Sequence, residues 1–562
     1  MRGRRSVKTS SRSSVSWKEI SRQARLRFGI EQFWPGQAEL IQHAIAGRDA
    51  IGILPTGGGK SLCYQLPALF LDGVVVVVSP LIALMQDQHE HLAEADIYAA
   101  RLDSTVPARK VRQEEAALRR GDRRIVLLTP ERLANPDNLA FLGRQRVALI
   151  VVDEAHCVSI WGHDFRPAYL ELRHAIEQLG RPPVLALTAT APPDRLDDIL
   201  TQLGIPDAHI VQGSIDRDNL IFEVSRTVNR QEKEKRLLSL VGRGDEPGIV
   251  YAATVRCVNE LHEWLVSRGV RAARYHGQLR AAEREQAQGQ FMSGELPVMV
   301  ATSAFGLGVD KPDVRWVAHW NFPDSLDSYY QEAGRAGRDG DPARCVLLYR
   351  LEDRRIRRFF LAGKHPHEAE LRKFLQTLRS VSANAGVTIE RLVAATGLNE
   401  KRVRVIAAEL EKRHVLSRHG ALRRLARAMS DAEIESFVGS FENSVRADEE
   451  RLRTMMDYAE STRCRVQFLR EYFGELPGAP CQRCDNCRRP VRPRRRIAAQ
   501  RVAPVPGETS GPQPYREHQL VSHDRFGTGE VVQVSGDEVE VAFARYGQRR
   551  VLAGYLRPAP AA

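Results

Sequence analysis

Short apolar runs alternate with longer amphipathic stretches along most of the chain. Residues 50–54, 74–78 and 148–152 are apolar throughout. Each run is too short for a core helix and far below the ~18 residues that span a bilayer, so they predict strands buried on both faces, as in a parallel sheet. The segments VLLTPERL and LALTATA, the latter at 185–191, repeat the strand-then-turn pattern. A second series begins near residue 215, where GIVYAAT, ARYHGQL, VMVAT, RWVAHW and CVLLY alternate with helical stretches. The predicted fold class is therefore α/β, with two parallel sheets.

Further along, TIERLVAATGLNEKRVRVIAAELEKRHVLSRHG reads as helix, turn, helix and a short wing. Arg402, Arg404 and Lys412, with Lys401 nearby, are candidates for DNA phosphates, or the unit is a docking module. Residues 516–557 alternate at period two, with Gly527, Gly529 and Gly536 as punctuation, and predict a small barrel with His518, Arg525 and Arg549 on its rims. These shifts divide the chain into a basic tail (1–16), two α/β units (17–214 and 215–352), a winged-helix-like insertion (353–430), a helical cysteine-bearing subdomain (431–488), an Arg/Pro-rich linker (489–514) and the barrel (515–562).

Composition adds limits. At about 150 residues per domain, 562 residues exceed a single small module, and 43% hydrophobic with 27% charged residues excludes wholesale disorder. The formal net charge of +13 is localised: residues 1–18 carry six Lys or Arg, residues 488–501 carry seven Arg, and neither stretch has an acid. Such arms suit phosphate backbones, or serve as solvated tails. The N-terminus lacks the apolar core of a secretory signal, so the expected address is cytoplasmic, with no membrane partner.

Four of the eight cysteines, Cys63, Cys157, Cys257 and Cys345, lie singly beside apolar segments and predict core positions. Cys464, Cys481, Cys484 and Cys487 differ. Two C-x-x-C steps share Cys484, which ordinary disulfides cannot satisfy, whereas one tetrahedral Zn²⁺ takes all four thiolates; an iron–sulfur cluster is the rival. A four-ligand site closed in this way is structural.

The chemistry is concentrated in two motifs. PTGGGKS follows the first strand and places Thr56, Gly57, Gly58, Gly59, Lys60 and Ser61 in a loop whose backbone N–H groups can wrap a phosphate chain. Lys60 can reach the β and γ phosphates and Ser61 can ligate Mg²⁺, although Leu54 stands where the strict pattern wants Gly. The third apolar run delivers Asp153, Glu154, Ala155 and His156 at a strand's C-terminal end. Asp153 suits Mg²⁺ through water, and Glu154 suits the attacking water; ATP hydrolysis follows. Just beyond, Trp161, Phe165, Arg166 and Tyr169 could stack on single-stranded bases or close the domain core. Arg335 and Arg338 are expected on one helix face, aimed at a γ-phosphate.

LPTGGGKS, DEAHCVSIWGHDFRPAY, ALTATA and QEAGRAGRDG together resemble the RecQ family of DNA helicases over roughly 17–352, and RVQFLREYFGE with CQRCDNC resumes the resemblance over 448–488. It implies two RecA-like motor domains, a zinc-binding subdomain, and 3′ to 5′ translocation and unwinding driven by ATP, on DNA with a single-stranded 3′ tail, in repair or recombination. It implies adenine recognition by Gln37, ATP contacts by Gly308 and Asp310, arginine-finger action by Arg338 with Arg335, and coupling of DNA to ATP by His156 and the aromatic loop. Trp34 stands where the family usually carries Arg. The family's strand-separating winged helix does not follow Cys487. The terminal barrel resembles the Tudor-like barrel of UvrD-type helicases, which implies contact with RNA polymerase or another protein. A DNA-stimulated ATPase that does not unwind, and an RNA helicase, are the alternatives.

Overall fold

The computed structural model describes residues 15–159, 167–242, 245–306, 311–362, 366, 368–381, 386–419, 422–488, 515–523, 526–536, 538–544 and 547–559. The basic tail up to residue 14 and the linker 489–514 lie outside them, as do Trp161, Phe165, Arg166, Gly308, Asp310 and Arg525. The chain forms two compact units, dividing near residue 213.

The first unit opens with helix Trp17–Phe28, whose first turn is capped by the Ser16 side chain and whose end is turned by Gly29 at φ 64°. Its sheet comprises β1 (Ala50–Ile53), β2 (Val74–Val78), β3 (Ala99–Leu102), β4 (Ile125–Leu128), β5 (Val147–Val152), β6 (Val184–Thr188) and β7 (His209–Gln212). All pairs are parallel, in the order β3-β4-β2-β5-β6-β1-β7. Every residue of β1, β2, β4 and β6 is buried, which is why these strands read as continuous apolar runs. Parallel pairing puts the ends of β1 and β5 on one edge, with only β6 between them.

The second unit carries β8 (Leu220–Arg226), β9 (Gly248–Tyr251), β10 (Ala272–Tyr275), β11 (Val298–Ala301), β12 (Trp316–His319) and β13 (Ala343–Tyr349), again all parallel, in the order β10-β11-β9-β12-β13-β8. Gly248 is required: a Cβ there would stand 1.9 Å from the Trp316 ring on the neighbouring strand.

After helix Arg354–Ala362, helices Glu368–Val381, Ile389–Thr396 and Glu400–Lys412 and the hairpin β14 (Leu416–His419) and β15 (Leu422–Leu425) make the expected helix-turn-helix and wing, with a bridge from Val387 to Arg423. Arg402 does not present its charge to solvent. It is paired with Glu370 at 2.6 Å, and Arg404 with Glu400 at 2.6 Å.

The helix expected to lead into Cys464 is the second half of a thirty-residue helix, Asp431–Glu460, started by a capping box of Ser430 and Glu433. Phe437 and Phe441 in its first half belong to the winged-helix core, while Leu452, Met455 and Tyr458 belong to the core of the second sheet. The helix that opens the segment expected from 431 thus shares its length between two cores.

The terminal segment forms a five-stranded antiparallel sheet, β16 (Leu520–His523), β17 (Gly527–Ser535), β18 (Glu538–Phe543), β19 (Gly547–Leu552) and β20 (Leu556–Pro558), in the order β19-β18-β17-β16-β20. Its alternation buries Val521, Val531, Val539, Val541 and Phe543. It belongs to the second unit and packs beside the second sheet: Arg226 meets Glu538 at 3.3 Å, the Tyr555 hydroxyl donates to Glu352 at 2.6 Å, and Arg550 donates to Asn486 at 2.9 Å. On its rim His518 is paired with Glu530 at 2.6 Å. No helix among the described residues is long and apolar enough to cross a membrane.

Candidate functional site

The glycine loop leaves β1 directly. Gly57 and Gly59 take φ 82° and 64°, conformations open to glycine, and a Cβ on Gly58 would stand 2.9 Å from the Pro55 carbonyl. A Cβ on Gly59 would stand 2.4 Å from the Gln37 amide nitrogen. Gln37 is buried at the start of helix Gln37–Ala46 and spans this loop: its Nε2 donates to the Gly58 and Gly59 carbonyls at 3.1 and 3.0 Å, and its Oε1 accepts from Trp34 N–H at 2.9 Å. The residue expected at adenine therefore also holds the phosphate loop in shape. Lys60 Nζ donates to the Leu54 carbonyl at 3.2 Å. The Thr56 hydroxyl is buried with no hydrogen-bond partner in the protein, as expected of a donor reserved for a ligand. A side-chain-free cradle with one orphaned hydroxyl fits a polyphosphate.

Asp153 lies at the end of β5 and is buried. Burial and then the adjoining Glu154 push its carboxyl up from its ordinary 3.8 to about 6, against the opposing pull of Lys60 and a hydrogen bond from Ser79 at 3.1 Å. Glu154 takes φ 48°, a left-handed conformation that costs a non-glycine residue of order 1 kcal/mol and turns its side chain away from the strand direction. His156 is buried and bridges the ends of β5 and β6, with Nδ1 3.1 Å from Thr188 Oγ1 and 3.3 Å from Glu154 Oε2. It is expected among the DNA-contacting residues; the structure buries it on the short turn Ala155–Val158, against Thr188 and Glu154. Tyr169, expected to stack on bases, is fully buried and its hydroxyl donates to the Asp153 carbonyl at 3.0 Å. It fastens the end of β5. Ser79, Thr188 and the Tyr169 contact were not signalled by the sequence, because separate elements bring Ser79 and Tyr169 to Asp153 and Thr188 to His156.

In the second unit, Arg335 is buried and Arg338 half-buried, but they do not share a helix. Helix Leu326–Ala333 ends at Gly334, and Gly337 takes φ 56° in the turn beyond. A Cβ on Gly337 would stand 2.5 Å from Asn219 Nδ2, so the GRAG spacing builds a turn packed on β8's approach rather than another helical turn. Arg335 lines a cleft of about 290 Å³ with Tyr251, Ser303, Asn321, Gln331 and Arg357.

Cys464 precedes helix Arg465–Tyr472, and Cys481, Cys484 and Cys487 approach it from the following loop and the short helix Asp485–Arg488. Their sulfurs all lie within 4.8 Å of one another. Tetrahedral coordination at about 2.3 Å per bond needs sulfurs just under 4 Å apart, so the set fits one Zn²⁺. Backbone N–H groups of Cys481 and Cys484 point at Cys464 and Cys481 sulfurs, at 3.3 and 3.4 Å, the donors that thiolates favour. Arg465, which sequence reasoning passed over, is fully buried and grips Asp485 through two bonds of 2.9 and 3.1 Å. Arg483 donates to the Leu220 carbonyl at 3.1 Å, so the cysteine loop is tied to β8. Cys63, Cys157 and Cys345 are buried as expected, and Cys257 is half-buried.

A glycine loop and a tandem acidic strand end on one parallel sheet, with a second such sheet and a four-thiolate site, define a nucleoside-triphosphate-driven motor class. The DEAD/DEAH box helicase family matches residues 34–199, the helicase conserved C-terminal domain residues 232–340, and the RecQ zinc-binding domain residues 423–488. The ATP-dependent DNA helicase RecQ of Bacillus subtilis (strain 168) is 43% identical over 357 residues, 63% of this chain and 60% of that protein. The probable ATP-dependent DNA helicase RecS of the same organism is 36% identical over 475 residues, 82% of this chain and 90% of that protein. The chain belongs to the RecQ family of ATP-dependent DNA helicases. It spans less than two thirds of the B. subtilis RecQ relative. Among solved structures, Mycobacterium smegmatis helicase Lhr bound to ssDNA and AMP-PNP shares the fold, with a TM-score of 0.50 at 22% identity over 74% of this chain and 61% of that one.

Proposed function

We propose that this chain hydrolyses ATP to translocate 3′ to 5′ on single-stranded DNA and to unwind the duplex ahead, in DNA repair or recombination. The observation that carries the reading is the placement of the glycine loop and the Asp153–Glu154 pair on the same edge of one sheet, one strand apart. The Gly57, Gly58 and Gly59 backbone and Thr56 bind the phosphates, and Lys60 swings from the Leu54 carbonyl to the β and γ phosphates. Ser61 and Asp153 are the residues that would hold Mg²⁺, which when bound neutralises charge on the transferring phosphate. Glu154 orients the attacking water and takes its proton, while His156 and Thr188 fix where that carboxylate sits. Arg335 and Arg338 supply positive charge to the γ-phosphate. Zn²⁺ in the four-cysteine site is structural. The same proposal includes a cytoplasmic, nucleoid-associated setting, and contact of the terminal sheet with RNA polymerase or another protein.

The test is steady-state ATP turnover with single-stranded DNA, with RNA and without nucleic acid. DNA is expected to raise turnover at least tenfold, and Lys60→Ala to bring it to background. Stimulation by RNA and not by DNA would overturn the assignment of substrate.

A further inference from the structure

Helix Arg354–Ala362, sequence RRIRRFFLA, follows β13 and carries two opposed faces. Residues three and four apart share a helix face. On the inner face, Leu361 packs on the core of the second sheet, and Arg357 Nε donates to the Phe322 carbonyl at 2.6 Å. On the outer face Arg355, Arg358 and Phe359 are all exposed, Phe359 to 77%. Phe360, 47% exposed, sits beside Phe359 with ring centroids 5.9 Å apart, nearly perpendicular. An aromatic on the solvent side of an amphipathic helix is opposite to what folding alone selects.

The charge that this helix itself carries is of one sign. The helix holds four arginines and no acid. The two acids just before it are engaged elsewhere: Glu352 by Tyr555 and Arg350 at 2.6 and 3.0 Å, and Asp353 by Lys233 and Asn321 at 2.6 and 2.9 Å. Among the described residues, Arg355 and Arg358 enter no ion pair with an acid. An apolar protein partner would meet the two guanidiniums that share this face, whereas a single-stranded nucleic acid offers phosphates to the arginines and a base face to the phenylalanine. The helix also stands beside the working edge of its sheet. Through Arg357 it borders the cleft formed by Tyr251, Ser303 and Asn321, just past the C-terminal ends of β9, β11 and β12, the edge where parallel sheets receive ligands.

We propose that Arg355, Arg358 and Phe359 form a contact site for single-stranded DNA, the arginines on successive phosphates and the ring stacked on a base. The proposal rests on the reading of the chain as a DNA motor and adds a site outside the motor motifs.

The probe is a fluorescein-labelled twenty-residue oligo-dT, bound to the full zinc-loaded chain and followed by anisotropy over a salt series. Phe359→Ala is expected to weaken binding about tenfold with an unchanged salt slope, as loss of one stacked base does. Arg355→Gln with Arg358→Gln is expected to reduce the slope of log K on log salt by about 1.4, the value for two phosphates on a single strand. Both variants should keep the wild-type melting temperature and DNA-free ATP turnover, since all three side chains are exposed. Wild-type affinity and slope in both variants would overturn the site while leaving the motor reading intact. Loss of self-association in Phe359→Ala with unchanged DNA binding would do the same, assigning the face to a second copy of the chain. Failure of the wild-type chain to bind oligo-dT at all would overturn both.

Discussion

Two adjacent carboxylates, Asp153 and Glu154, differ in everything but charge. Asp153 is buried behind Ser79 and the Tyr169 contact, while the left-handed backbone at Glu154 redirects the second carboxylate towards His156. Asp153 holds its proton more tightly in the fold than in the unfolded chain, up to about 6 from 3.8. Its contribution to the ligand-free fold is thus fully present below about pH 4 and is lost as pH rises through about 6. Relative to wild type, Asp153→Asn should gain melting temperature at pH 7 and lose that advantage at pH 4, measured by thermal melts without nucleotide. A pH-independent difference would contradict the burial argument. Lys60, Asp153 and Glu154 were legible in the sequence because a contiguous motif carries each. Ser79, Thr188, Arg465 and the inward turn of Tyr169 were not, since β-sheet neighbours and buried ion pairs come from residues far apart in the chain. Gln37 shows the intermediate case: its motif was visible, but its grip on the glycine loop was a matter of packing.

At the scale of elements, continuous apolar runs gave the strands almost to the residue, because a strand buried on both faces has no polar alternation to blur it. Helix ends were harder. The turn carrying Arg335 and Arg338 was expected to be helical, and the close approach of Gly337 to Asn219 decides against it. Arg402 was offered to DNA, and Glu370, thirty-two residues earlier, takes it. The cysteine loop was legible from spacing alone, but not its attachment, which runs through Arg465 to Asp485 and through Arg483 to β8. Cys484→Ser should lower zinc from one to none per chain by elemental analysis and expose amides of 461–488 to hydrogen exchange. DNA-free ATP turnover should persist at temperatures where the remainder stays folded, because no cysteine of the set lies among the proposed nucleotide-binding residues. A full zinc complement in that variant would refute the ligand assignment.

Over the whole molecule, two parallel sheets, a winged-helix segment between the second sheet and the cysteine-bearing segment, and a terminal antiparallel sheet make up this RecQ-family chain. The succession of strand-and-helix, helical and alternating segments was legible because the hydrophobic period changes between them. The seating of the terminal sheet within the second unit, through Glu538, Tyr555 and Arg550, was not, since each contact pairs residues more than sixty positions apart. The central claim is that this arrangement still opens duplex DNA from a 3′ tail. The most direct measurement is ATP-dependent unwinding of matched duplexes bearing a 3′ tail, a 5′ tail or none, with Lys60→Ala as the blank. Opening confined to the 3′-tailed duplex and absent in Lys60→Ala is the predicted result; DNA-stimulated ATP turnover with no opening of any duplex would contradict it and leave the chain a translocase.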